Sequence, residues 1–154
     1  MSHLQAKETA IINATPGQVY AVFRDYEDKH PRILPRDYFS EPVVEQGGQG
    51  AGTVFRVKVR VMGREMGYHM VVSEPAPGRT LVETDLDTGL VTTFSVMAAA
   101  QPQQAQVEIA TIWASQPGIA GLFERFLAPP VLRQIYRKEL ALLENFLHQT
   151  QQSV

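Results

Sequence analysis

The strongest constraint on this chain is a change in the period of its apolar residues. Between residues 41 and 114 they recur at every second position, whereas residues 16–26 and 119–149 carry them at helical spacing. A period of two belongs to a strand with one buried face, and the longer period to an amphipathic helix. The clearest strand covers residues 54–61. It sends Phe55, Val57, Val59 and Val61 to one face and Arg56, Lys58 and Arg60 to the other. Gly63-Arg64 then suits a two-residue hairpin turn with glycine at its first central position. That turn pairs Val61 with Met66, Val59 with Tyr68, Val57 with Met70 and Phe55 with Val72. Opposed residues share a face, so Tyr68 and Met70 point inward and His69 points out beside Lys58. The outer basic stripe reads as a solvated face.

Further elements follow from turn and cap residues. Residues 5–13 form a first strand, with Glu8 on its inward face at the rim or paired. Thr15 caps a helix over residues 16–26 and Pro16 opens it. Residues 29–37 hold at most one more helical turn, because two prolines interrupt them. Turns at residues 75–78 and 87–89 delimit strands over 80–86, 90–98 and 106–114. In the last of these Val107, Ile109, Thr111 and Trp113 face inward. Residues 119–149 are helical and broken at Pro129-Pro130, and the second part, through Ile135, Leu143 and Phe146, closes a cavity. Strands segregated from helices make the chain α+β. The long helix can bury its apolar stripe only against the concave face of the sheet, which leaves a pocket between the two.

Composition removes several classes of function. The 154 residues suit one domain, residues 1–150, followed by a polar tail at 151–154. A net charge of −2 argues against a nucleic-acid partner. With no cysteine there is no disulfide, zinc ribbon or thiol nucleophile. The first residues lack the apolar stretch of a signal peptide, and no window reaches the ~18 apolar residues of a membrane span, so a cytoplasmic protein is expected. Histidines at 3, 30, 69 and 148 have no metal-ligand spacing, and no metal or cofactor is expected. The glycine cluster at residues 47–52 lacks the lysine and the following helix of a phosphate loop, and reads as a flexible loop at the pocket rim. No serine has a nucleophile-elbow surround.

Several segments together carry a family resemblance. They are Ile12-Asn13-Ala14-Thr15-Pro16 with Val19, Phe23, Asp25 and Tyr26, the Gly50-Ala51-Gly52 strand entry, and Val72-Ser73-Glu74-Pro75. The chain resembles the START/Bet v 1-like superfamily and, within it, the polyketide cyclase/dehydrase and lipid-transport group. It departs from that group at Ile33-Leu34-Pro35, where members often carry Trp-Asn-Pro, and at Gln104-Ala105, where Gly-Thr is common. The resemblance implies a helix-grip fold, a curved antiparallel sheet wrapped around a long C-terminal helix with a cavity between.

The expected ligand is a hydrophobic or aromatic small molecule, lipid- or polyketide-like. Its binding residues are Phe55, Val57, Val59, Tyr68, Met70, Thr92, Phe94, Trp113 and Ile135. His30 is read as solvated first and as a ligand contact at the pocket mouth second. One alternative is a cyclase/aromatase or dehydratase with a cavity carboxylate as acid or base. Another is a lipid-dependent protein-interaction module, and a homodimer stays open. The carboxylate candidate is Glu83, on a strand where two arguments collide. Hydrophobic pattern turns Val82, Thr84 and Leu86 inward. Turn lengths instead pair Glu83 with Met70 and Phe94, Val72 with Leu81 and Asp85 with Thr92, which puts Leu81, Glu83 and Asp85 inside. The turn argument is preferred.

Overall fold

A computed structural model describes residues 3–115, 117–118 and 128–152. In chain order these form β1 (His3–Ile12), α1 (Pro16–Arg24), α2 (Lys29–Arg32), β2 (Val43–Gln46), β3 (Val54–Val61), β4 (Arg64–Ala76), β5 (Thr80–Asp85), β6 (Val91–Ala98), β7 (Ala105–Ala114) and α3 (Ala128–Gln152). The strands make one antiparallel sheet in the order β1-β7-β6-β5-β4-β3-β2. Its concave face holds the core, and α3 covers it through Ile135, Tyr136, Leu140, Leu143 and Leu147. This is the expected helix-grip arrangement. Among the described residues no helix is long and apolar enough to cross a membrane.

Local chemistry explains where α1 begins and ends. The Thr15 hydroxyl accepts the Gln18 N–H while the Gln18 side chain accepts the Thr15 N–H, a reciprocal capping box. The helix stops two residues before the expected Tyr26. There the Asp25 carboxylate draws in the N–H groups of Glu27 and Asp28, and the Tyr26 N–H turns to the Gly48 carbonyl. The glycine loop at residues 47–52 is pinned to this helix end by Gly50 N–H on the Arg24 carbonyl, and to β4 by Ala51 N–H on Glu74. A Cβ on Gly50 would stand 2.1 Å from a Glu74 oxygen, and the residue has φ +62°, so glycine alone fits. The loop is therefore a packed joint beside α1. The expectation of a flexible pocket rim is corrected, since none of its residues lines the cavity.

Three strand registers differ from expectation, each by two residues. The β3–β4 turn is Met62-Gly63, with φ of +53° and +77°, so Val61 pairs with Arg64, Val59 with Met66, Val57 with Tyr68 and Phe55 with Met70. Positive φ at both central positions marks a type I′ turn, one of the two hairpin turns whose twist matches the flanking strands. Between β4 and β5 an irregularity after Ser73 pairs Val72 with Glu83 and Met70 with Asp85. A four-residue loop, closed by the Asp85 N–H on the Leu90 carbonyl, pairs Glu83 with Thr92 and Leu81 with Phe94. Shifts of two preserve the face of every side chain. Leu81, Glu83 and Asp85 lie inside at 0, 8 and 1% exposure, and Leu86 is 55% exposed. His69 faces outward as expected, but opposite Arg56 and not Lys58, with its Nε2 2.8 Å from Glu45. The basic stripe is paired with acids on the same surface: Arg56 with Glu45 at 2.9 Å, and Arg60 with Glu65 at 3.7 Å.

Pro129 and Pro130 occupy the first turn of α3, where a missing N–H costs no helical bond. The helix expected over residues 119–127, and with it the break before the prolines, lies outside the described residues. Two links hold α3 to β1: Arg137 Nε donates to Glu8 at 3.2 Å, and Glu144 accepts both the backbone and side-chain N–H of Asn13. Glu8 is thus paired at the sheet margin.

The inward parity of β5 has a measurable consequence. Leu81→Ala should cost about 2–5 kcal/mol in urea denaturation, as expected for a core leucine, whereas Leu86→Ala should stay within about 0.5 kcal/mol. Equal costs would contradict this parity.

Candidate functional site: a cavity with a buried polar end

Between the sheet and α3 lies a cavity of about 330 Å³. Alternation along β3 and β4 brings Phe55, Val57, Val59, Tyr68 and Met70 to its wall, β6 adds Thr92 and Phe94, and β7 adds Trp113. Helix α3 supplies Val131, Leu132 and Ile135 from the other side. Leu143 and Phe146 were expected to help close the cavity but do not line it; Leu143 is buried and Phe146 packs against the core. Glu83 and His30 also line the cavity, together with each of the expected ligand-binding residues.

One end of the cavity is polar. The Tyr26 hydroxyl donates to Glu83 Oε2 at 2.7 Å, and both groups are buried. His30 Nδ1 lies 2.6 Å from the Phe23 carbonyl oxygen. A carbonyl only accepts, so Nδ1 carries the hydrogen and Nε2 is the atom that gains or loses a proton. Nε2 lies 3.7 Å from Glu139 Oε1, an ion-pair separation. The His30 ring stacks on Tyr26 at 4.6 Å and meets the Phe94 ring edge-on at 5.4 Å. Elsewhere on the wall, three hydroxyls satisfy one another: Thr92 and Thr111 are 2.7 Å apart, and Thr111 is hydrogen-bonded to Tyr136.

The first reading of His30, a solvated side chain, is corrected: it is 3% exposed. Its N–H bonds to the Asp25 carbonyl at 2.8 Å, which folds α2 back under the end of α1 and carries the imidazole beneath Phe23. Tyr26, Tyr136 and Glu139 were not singled out as site residues. Glu139 had a legible signal. It stands four residues after Ile135 and four before Leu143, on the apolar stripe of α3, where a carboxylate must meet the interior.

Burial pushes the Glu83 carboxyl up from its ordinary range, although the His30 charge and the Tyr26 hydrogen bond pull the other way. For His30, burial opposes the charged ring, but the Glu139 and Glu83 carboxylates and the Phe23 carbonyl outweigh it and raise the value above 6.5. Burial together with Glu83 holds the Tyr26 hydroxyl protonated. In all three groups the surroundings favour the protonated form, within an apolar enclosure.

The sign of the linkage follows. A raised value means that the folded protein binds a proton the unfolded chain has released, so stability falls as pH rises through that window. The His30 contribution should be complete below about pH 6.5, the ordinary imidazole value, and lost as pH rises through the folded value. Glu83 adds the same sign from about pH 4.3 upward. The His30 ring resonances should titrate with a midpoint above 6.5 in NMR, and urea stability should decline less steeply above it in His30→Gln. A midpoint below 6.5 would contradict the pairing.

Comparison with known proteins agrees with the geometry. The solution structure of KanY protein superposes with a TM-score of 0.83 at 33% identity, over 96% of this chain and 99% of that one. The Zhui aromatase/cyclase from Streptomyces sp. R1128 gives 0.78 at 15% identity, over 96% and 95%. A START superfamily protein from Mycobacterium smegmatis gives 0.67 at 15%, over 97% and 99%. The last two likenesses concern the fold. No curated protein sequence matches the chain. The family model described as polyketide cyclase / dehydrase and lipid transport matches residues 3–146, and the chain with its helix-grip cavity belongs to that family.

Proposed function

We propose that the cavity binds an apolar, ring-bearing small molecule whose polar end meets the Tyr26, His30, Glu83 and Glu139 cluster. The observation that carries the reading is the cavity itself: about 330 Å³, walled by aromatic and aliphatic side chains, with polar groups gathered at one end. Ligand pockets of roughly 300–1,000 Å³ are built this way, with apolar walls for affinity and a few polar groups for orientation. The family description and the START likeness support a hydrophobic ligand. Phe55, Val57, Val59, Tyr68, Met70, Phe94, Trp113 and Ile135 are its apolar contacts in this proposal, with Thr92 and His30 as polar ones. A cytoplasmic location belongs to the same proposal, as does the absence of a nucleic-acid partner, which rests on the net charge of −2 and the paired outer stripe.

A second reading is favoured by the Glu83 environment and by the fold shared with the aromatase/cyclase. A carboxyl group whose proton affinity is raised by burial, beside a titrating imidazole, is the equipment of acid–base catalysis. In a dehydration, a base in the cluster takes the proton beside a substrate carbonyl. The electron pair of that C–H bond forms the new double bond, and an acid protonates the departing hydroxyl as water. The walls hold the chain folded while this occurs.

Three measurements test these readings. Trp113 is the sole tryptophan and lines the cavity, so an apolar environment-sensitive dye should quench or shift its emission on binding. Native mass spectrometry should detect a co-purifying apolar molecule. A dye that fails to bind at high micromolar concentration would remove the main support for a ligand cavity. Glu83→Gln separates binding from catalysis: a pure binding role predicts a change in affinity of about tenfold or less, whereas catalysis predicts a loss of turnover of about a hundredfold or more with the fold intact.

A further inference from the structure

The β3–β4 hairpin outruns the sheet that carries it. The last pair between β4 and β5 joins Met70 to Asp85, so residues 64–68 of β4 have no strand on that side. β3 pairs with β2 only as far as Arg56, and the loop at residues 38–40 supports it no farther than Arg60. Among the described residues, backbone hydrogen bonds from 61 to 68 run only between the two strands. The tip therefore projects as a two-stranded ribbon, roughly 20 Å past the Met70–Asp85 pair. Its apolar side chains face outward: Met62 is 61% exposed and Met66 45%. Val61 opposes Arg64 and Val59 opposes Met66, which puts Arg64 and Met66 on the concave side. Val61, Met62, Arg64 and Met66 thus form one rim of the cavity mouth.

Charge follows the same geometry. Residues 58–68 hold Lys58, Arg60 and Arg64 against one acid, Glu65, an excess of positive charge in a chain whose net charge is −2. Glu65 is shared between Lys58 at 3.8 Å and Arg60 at 3.7 Å, while Arg64 has no acidic partner among the described residues. We propose that this ribbon docks the cavity mouth on an anionic lipid bilayer. Met62 and Met66 enter the boundary between headgroups and acyl chains, and Lys58, Arg60 and Arg64 meet the phosphates, their stems lying along apolar surface. Size decides between a bilayer and a protein partner. A ribbon about 10 Å wide and 20 Å long offers about 200 Å² on a face, whereas a stable protein interface takes about 800 Å² from each side. A bilayer asks for no matching shape, and burying one exposed methionine strengthens partition roughly tenfold. The inference rests on the proposal that the cavity binds an apolar molecule, because a mouth seated in lipid lets such a molecule enter without crossing water.

The test is cosedimentation with sucrose-loaded phosphatidylcholine vesicles, with and without phosphatidylserine, at low ionic strength. The wild type should favour the anionic vesicles by about tenfold or more, and the preference should shrink as salt is added. Met62→Asn combined with Met66→Thr should lower partition into anionic vesicles by about tenfold or more. Asparagine tolerates the positive φ at position 62 and threonine suits a strand, so the hairpin is kept, which circular dichroism checks. Arg64→Gln should lower partition by about fivefold; if the double variant does not fold, this single variant decides. A wild type that stays in the supernatant with both vesicles overturns the inference, and a ribbon that served an acidic protein would give that result. Equal binding to both vesicles, or variants that bind as the wild type does, overturns it too. All of these outcomes leave the cavity reading in place. Failure of an apolar dye to bind the wild type overturns the cavity reading instead, and is read without vesicles.

Discussion

The position of α3 over the sheet governs what the interior can become. The helix lies against β1, the edge strand, tied there by Glu8 with Arg137 and by Asn13 with Glu144. Strands β3 to β6 therefore face it across a gap. A sheet of seven twisted strands is too wide for one helix to cover, and its curvature increases the depth beneath the middle strands. Near β1 the apolar faces meet and form solid core, where Val107, Ile109 and Leu143 are fully buried. Farther along they face a void. The cavity is thus a consequence of where the helix is tethered.

That gap changes the energetics of the polar residues around it. A carboxylate in a close-packed core must be paired or neutral, because desolvation costs several kcal/mol, roughly. Here two carboxylates and an imidazole share one apolar enclosure, and each solves the problem differently. Glu83 takes the Tyr26 hydroxyl and shifts toward its neutral form. For His30, burial opposes the charged ring, and Glu139, Glu83 and the Phe23 carbonyl favour it and prevail. Glu139 faces the imidazole at ion-pair distance, 3.7 Å from Nε2. Stability alone would favour apolar residues at all three positions, so their presence points to a task beyond holding the fold. Asp85 shows the contrast. Equally inward, it sits at the end of β5, where the Thr88 side chain and the His69 and Thr88 N–H groups satisfy it, and its role is to close a turn.

The lining of the cavity was legible because face depends only on parity. Every register error was a shift of two, and a shift of two leaves Phe55, Tyr68, Met70, Glu83 and Phe94 on the concave side. Turn type decides which residues are opposite, and turn type depends on backbone angles that composition only suggests. Glycine at 63 was compatible with either central position of the hairpin. Met62 with φ +53° belongs to the conformations that non-glycine residues adopt reluctantly, so the observed choice was the less legible one. Helix periodicity shows where the apolar stripe of α3 runs, and Glu139 lies within that stripe.

His30 marks the deeper limit of reading by pattern. Nothing in Lys29-His30-Pro31-Arg32 distinguishes an exposed turn from a buried one, because a single helical turn has no periodicity to measure. What buries the imidazole is a tertiary condition: the Asp25 carbonyl turns the chain back, and Phe23, Tyr26 and Phe94 enclose the ring. Two of those aromatic residues come from α1 and its exit and one from β6, separated by more than sixty residues. The partner carboxylate, Glu139, arrives from the other end of the chain. Groups on walls that are local in sequence can be inferred strand by strand. A site assembled where α2, β5 and α3 converge exists only once the sheet has curled, and its chemistry belongs to that convergence.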